Sequence, residues 1–164
     1  CRIAFEQKNR PSLVLLTRQG IPVLDRVIYP DSNNFERGGY VMCSSENPDV
    51  MIFSTGSEVW VALDTRNRLI NDGYKVKVVN LGCWELFEEQ SKDYKKEVLK
   101  SNDSTLLVSI EAGITDGWQK YTGRNGLNIG INSFGESGPG VEVANYFGIT
   151  VDNLYKKIIE KMES

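Results

Sequence analysis

The sequence predicts an α/β fold: a five-stranded mixed sheet, with four parallel strands and one antiparallel strand, covered by helices on both faces. Beyond residue 35, short apolar runs alternate with segments whose apolar residues recur at helical spacing. This alternation is typical of parallel strands joined by right-handed helical crossovers, which gives a three-layer architecture. The first two apolar runs are separated only by "SENP", which is too short for a crossover helix, so one strand should run antiparallel.

Five apolar runs are the predicted strands. They are centred near residues 40, 51, 77, 107 and 129, within "GYVMCS", "DVMIFST", "YKVKVVNLG", "STLLVSIEAG" and "LNIGINSFG". Such short runs, bounded by turn-forming residues, are typical of strands. We expect the first strand to pair antiparallel with the second, because only a short turn connects them.

A helix is predicted over residues 57–73. It places three apolar residues at helical intervals: Val59, Leu63 and Ile70. Thr55 or Ser57 is expected to cap its start and Gly73 its end. Further along, "WELFEEQSKDYKKEVLK" is predicted to form one or two helices. Two more helices close the chain, and Pro139 and Thr150 stand at positions suited to begin them.

The first 35 residues do not follow this alternation. An apolar run at residues 12–17 predicts a strand, and "GIPVLDRVIYPDSNNFERGG" after it is rich in Pro, Asn, Gly and charge, as linkers are. We therefore expect residues 1–35 to be the end of a preceding domain plus a linker, and residues 36–164 to form one α/β domain.

Composition excludes several classes of protein. The chain has 164 residues, a formal net charge of −3 and a pI near 5.1, which argue against a general binder of nucleic acid or anionic membranes. No apolar run approaches the roughly 18 residues that a bilayer span requires, and the first ten residues lack the apolar centre of a signal peptide. The expected location is therefore cytoplasmic.

The chain has three cysteines and no histidine. Cys1, Cys43 and Cys83 are about forty residues apart and form no CxxC pair, which argues against a zinc site and suits a reducing compartment. Without histidine, neither a Ser-His-Asp nor a Cys-His catalytic relay can be assembled. Catalysis within this chain alone would have to use carboxylates, Lys, Cys or Tyr.

Two glycine-containing turns at strand ends are candidate anion sites. Gly56 and Ser57 lie at a strand-to-helix turn, where free backbone N–H groups can hold an anion. Glu58 opposes an anion there, and the turn carries neither a Walker lysine nor a GxGxxG spacing, so a cap with a tight turn is favoured. In "SFGESGPG", Glu136 argues against phosphate in the same way.

Acidic and aromatic residues also stand at the strand ends. Glu111 ends the most apolar strand, where a raised pKa would suit an acid or base. Hydrolytic acid-base chemistry needs a second carboxylate at a defined distance, and Asp116 is only a loose candidate for it. We favour an ordinary role for Glu111, in which it accepts hydrogen bonds from loop N–H groups or a partner subunit. Trp84 and Trp118 follow strand ends; they either stack on a ligand or fill packing gaps, and packing is the commoner role.

Arg18 is the most specific candidate for binding. It ends the predicted strand in "SLVLLTRQGIP", and the planar guanidinium presents donors that bind phosphate in a bidentate manner. A structural ion pair with a loop carboxylate is the alternative. Spacing alone does not choose between the two.

Several segments resemble transketolases. "LVLLTRQGIPVLDR" is similar to the end of the family's middle, pyrimidine-binding domain, where Ser or Thr, Arg and Gln close a strand before a Pro. "PDVMIFSTGSEV", "LGCWELFEEQSKDYKKEVL", "SIEAGITDGWQKYTG" and "SFGESGPGVEVANYFGIT" resemble successive stretches of the C-terminal domain. The resemblance covers nearly the whole chain, and the family's C-terminal domain is itself a five-stranded mixed sheet with one antiparallel strand.

The resemblance implies that the parent protein transfers a two-carbon ketol unit from a ketose phosphate to an aldose phosphate. It implies thiamine diphosphate and a divalent metal, Mg²⁺ or Ca²⁺, as cofactors, and a homodimer as the assembly. The arginine of the family's triplet contacts the substrate phosphate and matches Arg18. The cofactor-binding and catalytic motifs of the family have no counterpart in these 164 residues, so this chain alone is not expected to bind cofactor or be active.

Two other functions remain open. The chain could be a stand-alone module that binds an anion or nucleotide at one of the glycine-containing turns. It could also be the last domain of a related thiamine enzyme, such as deoxyxylulose phosphate synthase or a keto-acid dehydrogenase. The segments "TRQ" and "CWELF" favour transketolase over these relatives.

Overall fold

The central strand of the sheet is β2 (Val50–Ser54), and all five of its residues are buried. The computed structural model describes residues 2–164. Four further strands complete one sheet in the order β1-β3-β2-β4-β5: β1 (Tyr40–Cys43), β3 (Val76–Asn80), β4 (Leu106–Ile110) and β5 (Leu127–Ile129). The five predicted strand positions and the mixed sheet are confirmed.

One predicted strand pairing is wrong. β1 is the antiparallel strand, but its partner is β3, with Tyr40 opposite Asn80, rather than β2. The reason is that both edges of β2 are occupied: Ile52 is in register with Val78 of β3 and with Val108 of β4, both parallel. The short connection therefore carries the chain from β1 at the outer edge, past β3, to β2 in the centre of the sheet.

Helices lie on both faces of this sheet and give it three layers. The longer helices are α2 (Glu58–Asn71) and α7 (Val151–Met162). The shorter ones are α1 (Arg2–Glu6), α3 (Trp84–Glu88), α4 (Lys92–Val98), α5 (Gln119–Thr122), α6 (Gly140–Phe147) and a 3₁₀ helix, Ser32–Arg37. The segment predicted as one or two helices is thus two, α3 and α4.

Each face of the sheet has its own apolar core. The first core joins alternate residues of β2 and β3 to α2 and α7; its members include Val50, Ile52, Val78, Leu63, Leu154 and Ile158. The second core joins the intervening residues to α3, α4 and α5; its members include Met51, Phe53, Val79, Phe87, Val98 and Tyr121. This burial on both faces explains why the strand sequences are continuously apolar.

The helix ends agree only in part with the predicted caps. The hydroxyl of Thr150 accepts a hydrogen bond from the backbone N–H of Asn153 and caps α7, as expected. Ser57 makes no such cap to α2. In α2, Leu69 is buried whereas Ile70 is partly exposed. The prediction that Ile70 belongs to the apolar face of this helix is therefore wrong, and the neighbouring Leu69 takes that place.

The predicted strand at residues 12–17 is absent from the structure. These residues form neither helix nor strand, and Leu13, Leu15 and Leu16 are each more than 80% exposed. A strand needs a neighbour to which its backbone can hydrogen-bond, and no strand of the described sheet lies beside this run. The following segment is nevertheless attached to the first core, because Trp60 donates through Nε1 to the carbonyl of Pro22, at 3.0 Å, and Leu24 packs there.

The remaining sequence predictions concern cysteines and membranes. Cys43 and Cys83 are free thiols, and Cys43 is partly buried against the first core, which raises its pKa; Cys1 lies outside the described residues. None of the helices in residues 2–164 has the length and apolar character needed to cross a bilayer.

Candidate functional site

The carboxyl ends of β2 and β4 are the place where ligands bind in many α/β sheets. From β2 the chain crosses to β3 on one side, and from β3 it crosses back to β4 on the other. Such a reversal opens a crevice between the two strand ends. Here the crevice is bordered by the Gly56–Ser57 turn after β2 and by the loop that follows β4.

Glu58 occupies this crevice. Its side chain is 9% exposed and accepts hydrogen bonds from the backbone N–H of Ala112, at 3.1 Å, and from the hydroxyl of Ser57, at 2.6 Å. The carboxylate thus ties the start of α2 to the loop after β4. Because a carboxylate already stands at the turn and accepts from the Ser57 hydroxyl and the Ala112 N–H, the turn at Gly56 is a poor place for a second anion. The interpretation of this turn as structural is favoured.

Glu111 has a structural partner. Its Oε2 accepts a hydrogen bond from Nε1 of Trp118, at 2.9 Å, and Trp118 is only 1% exposed. Asp116, its candidate partner for acid-base chemistry, is exposed and makes no side-chain hydrogen bond or ion pair among the residues described. The ordinary role for Glu111, acceptor of a hydrogen bond, is the one found, although the donor is an indole rather than a loop N–H.

The two tryptophans pack against each other. The rings of Trp84 and Trp118 meet edge to face with centroids 5.0 Å apart, and Tyr121 lies 5.4 Å from Trp84. Gly117, with a φ of +85°, allows the close approach: a Cβ there would lie 2.7 Å from the Trp84 ring. This aromatic cluster fills the space between α3 and α5, which supports packing over ligand stacking.

Glu88 is the centre of a polar cluster that sequence reasoning missed. Its carboxylate accepts from Nζ of Lys120 at 2.8 Å, from Nζ of Lys95 at 3.0 Å and from the hydroxyl of Tyr121 at 2.9 Å. Hydrogen bonding by Lys120 is the main reason that the pKa of Glu88 falls to about 2. Burial, followed by the hydrogen bond to Glu88, raises the pKa of Tyr121. The three donors come from two helices, so no local motif marks the cluster.

The glycine-rich loop after β5 is open to solvent. Residues 132–140 are exposed, and Phe134 is 98% exposed. Glu136 makes no hydrogen bond or ion pair with any other residue that the structure describes. The loop leads into α6, in which no residue is buried. Its geometry therefore offers no enclosed anion site.

Arg18 lies in the exposed segment before the sheet. It has no ion pair and no side-chain hydrogen bond within residues 2–164, so the alternative of a structural ion pair is not realised in this structure. No hydrogen bond, ion pair or cation–π contact joins Arg18 to Glu58, Glu111 or the aromatic cluster in the described part of the chain. Arg18 therefore remains a predicted binding residue whose guanidinium is free. The acidic side chains at the strand ends, by contrast, are bound to other residues of the same domain.

Comparison with known proteins identifies similar chains. The family described as "Transketolase-like TK C-terminal domain" matches residues 38–150. Transketolase of Aquifex aeolicus is 46% identical over 160 residues, which are 97% of this chain and 23% of that protein. Transketolase-1, chloroplastic, of Arabidopsis thaliana is 44% identical over 154 residues, 92% of this chain and 20% of that protein.

Solved structures give the same result. A transketolase of Pichia stipitis in complex with sedoheptulose-7-phosphate superposes with a TM-score of 0.78 at 32% identity, covering 89% of this chain and 20% of that one. The transketolase from Leishmania mexicana gives a TM-score of 0.72 at 30% identity, covering 80% of this chain and 19% of that one. The chain thus spans less than a third of the length of the curated relatives it matches, between 20% and 29%.

Proposed function

This chain belongs to the transketolase family, and we propose that it acts as the C-terminal part of an enzyme that transfers a two-carbon ketol unit between sugar phosphates. The match of the family's C-terminal domain to residues 38–150, together with identity that extends through the upstream segment to 97% of the chain, carries this proposal. The donor is a ketose phosphate and the acceptor an aldose phosphate.

We assign Arg18 the role of binding the substrate phosphate. Three features support it: the resemblance of the "TRQ" triplet to the family's phosphate-contacting arginine, the exposure of the residue, and the lack of any carboxylate partner in residues 2–164. A guanidinium that is not neutralised by its own protein keeps its donors for a dianion. Residues 1–35 are, on the same proposal, the end of the pyrimidine-binding domain plus a linker.

Cofactor chemistry is assigned to other parts of a transketolase. Thiamine diphosphate supplies the carbanion chemistry when it is bound. In the part of the chain that the structure describes, no group of three or more His, Cys, Asp or Glu side chains is placed to hold a metal ion. These residues do not fit the metal and diphosphate site, and we derive no step of the transfer from them. A homodimer and a cytoplasmic location complete the proposal and rest on the sequence.

An Arg18→Ala substitution in a full-length transketolase that contains this chain tests the role of Arg18. Loss of a charge-assisted bidentate contact should cost about 2–3 kcal/mol, or roughly a hundredfold in kcat/KM, for phosphorylated sugars. The loss should appear mainly as a higher KM. Steady-state kinetics with phosphorylated and unphosphorylated acceptors provide the measurement.

Arg26→Ala is the matched control, because Arg26 is an exposed arginine in the same segment. It should leave kcat/KM unchanged for both kinds of acceptor. Equal losses on phosphorylated and unphosphorylated sugars in the Arg18→Ala enzyme would contradict the phosphate role while leaving the proposed ketol transfer intact. Absence of ketol transfer in the unsubstituted full-length enzyme would contradict the function itself.

A further inference from the structure

Lys77 is a buried amine that has no part in the function proposed above. It lies on β3, in register with Met51 of β2, and is 4% exposed. Its Nζ donates hydrogen bonds to the backbone carbonyl of Lys100, at 3.1 Å, and to that of Glu97, at 3.4 Å. The amine therefore reaches the end of α4, where carbonyl groups have no partner within the helix.

A groove with a volume of about 640 Å³ adjoins this amine. It lies between the connection from β1 to β2 and the end of α4, and Lys77 is part of its wall. Its other polar side chains include three hydroxyl groups and three charged groups: Ser44, Ser45, Ser101, Glu46, Glu97 and Lys100. The positive and negative side chains of the wall nearly balance, so the groove has little net charge. Its hydroxyl groups and the amide of Asn47 are the neutral donors and acceptors that it offers to a ligand.

The surroundings lower the pKa of Lys77. Burial is the main cause that lowers its pKa, the positive charge of Lys100 acts in the same direction, and Glu97 opposes them. A neutral amine has two N–H groups, and these match the two carbonyl acceptors. Its lone pair takes no part in these hydrogen bonds and stays available as a nucleophile. Two hydrogen bonds thus hold the nitrogen of Lys77 in place. Its amine also becomes unprotonated, and therefore nucleophilic, at a lower pH than the amine of an exposed lysine does.

We propose that Lys77 is a modification site, at which small hydroxyaldehydes that enter the groove form an imine with its amine. The hydroxyl side chains of the groove hydrogen-bond the ligand's hydroxyl groups. The nitrogen lone pair attacks the aldehyde carbon, and one proton moves from nitrogen to the former carbonyl oxygen to give a carbinolamine. A proton from solvent then allows that oxygen to leave as water when the C=N bond forms. The protonated imine keeps one N–H, so one of the two hydrogen bonds to the end of α4 is lost.

Reductive trapping with glycolaldehyde tests this proposal on the chain itself. Sodium cyanoborohydride reduces the imine to a stable secondary amine, and peptide mass spectrometry compares the labelling rates of Lys77 and Lys75. Lys75 is exposed and only two residues away, which makes it the matched internal control. At pH 7 we expect Lys77 to be labelled severalfold faster than Lys75, because its lowered pKa leaves a larger fraction of its amine unprotonated. The preference should vanish in denaturing urea.

Two further arms keep the test decisive. Lys77→Arg keeps N–H donors for the two carbonyls but has no nucleophilic amine, so it should remove the rapid labelling and leave the labelling of Lys75 unchanged. Propanal, which has no hydroxyl group, should label Lys77 more slowly than glycolaldehyde does. Labelling of Lys77 no faster than that of Lys75 in the folded chain would overturn the proposal, and equal rates with the two aldehydes would overturn recognition by the groove.

Discussion

Two apolar runs of similar character, "VMIFS" at residues 50–54 and "SLVLL" at residues 12–16, have opposite structures in this chain. The first is β2, whose residues are no more than 1% exposed and are paired with a strand on each side. The second is irregular, with leucines more than 80% exposed. The difference teaches that an apolar run becomes a strand only where neighbouring strands satisfy its backbone and helices cover its faces.

The largest effect that the comparison predicts is at Phe53 of β2. Phe53→Ala should lower the free energy of unfolding by about 3–5 kcal/mol, because it leaves a cavity in the second core. Urea denaturation followed by circular dichroism gives the value. Phe134→Ala is the matched control, since the same side chain is removed at a position that is 98% exposed, and it should change stability by less than about 0.5 kcal/mol.

A smaller effect on the free energy of unfolding is expected at Glu88, and none is expected at the adjacent carboxylate, Glu89. Glu88 has three donors within the folded domain, whereas Glu89 is exposed and pairs with Arg10 of the N-terminal segment. The pKa of Glu88 is lowered from 4.5 to about 2, so its stabilisation is fully present above pH 4.5 and is lost as the pH falls from there to about 2. After allowance for its partial exposure, the contribution is about 1 kcal/mol.

Glu88→Gln should therefore lower stability at pH 7 and flatten the dependence of stability on pH between 4.5 and 2. Glu89→Gln, the control at the next position, should leave that dependence in place and cause no measurable loss at pH 7. Unfolding curves at a series of pH values provide the measurement. An unchanged pH dependence in Glu88→Gln would show that the cluster around Glu88 is not held in solution.

The strand positions were predictable because β2, β3 and β4 are buried on both faces and read as short apolar runs. The antiparallel partner of β1 was not predictable from loop length, since the choice depends on which strand edges are already occupied. The run at residues 12–17 was predicted as a strand but forms none in this chain, for the related reason that a sequence pattern does not report whether a neighbour is present. Local patterns thus locate elements better than they pair them.

The candidate site was predicted less completely than the fold. Glu58, Glu111 and Trp118 were located at strand ends by sequence, but their hydrogen bonds, Glu58 to Ala112 and Glu111 to Trp118, depend on loops that meet only in three dimensions. The cluster around Glu88 was missed because Lys95 and Lys120 reach it from separate helices, and each looks like an ordinary surface lysine in the sequence. Arg18 was found through resemblance, since spacing left its role open.

The smallest effect expected in this chain is at Leu15, and the same substitution in a longer protein tests whether the missing strand forms when neighbours are supplied. In this chain, Leu15→Ser should change the free energy of unfolding by less than about 0.5 kcal/mol, because the side chain is already 83% exposed. In a full-length transketolase containing this chain, the proposed preceding domain would bury the same side chain. Its replacement should then cost about 1.5–3 kcal/mol, the free energy of burying a leucine.

Urea denaturation of this chain and of the full-length protein, each with and without Leu15→Ser, gives the change in the free energy of unfolding that the substitution causes in each. A cost that appears only in the full-length protein means that residues 12–17 become a strand when a sheet accepts them, as the sequence predicts. A negligible cost in both would mean that the run stays exposed beside its own domain, and that Arg18 is not placed at the end of a buried strand. The comparison with β2 makes the first outcome the expected one, because the two runs differ in their neighbours far more than in their side chains.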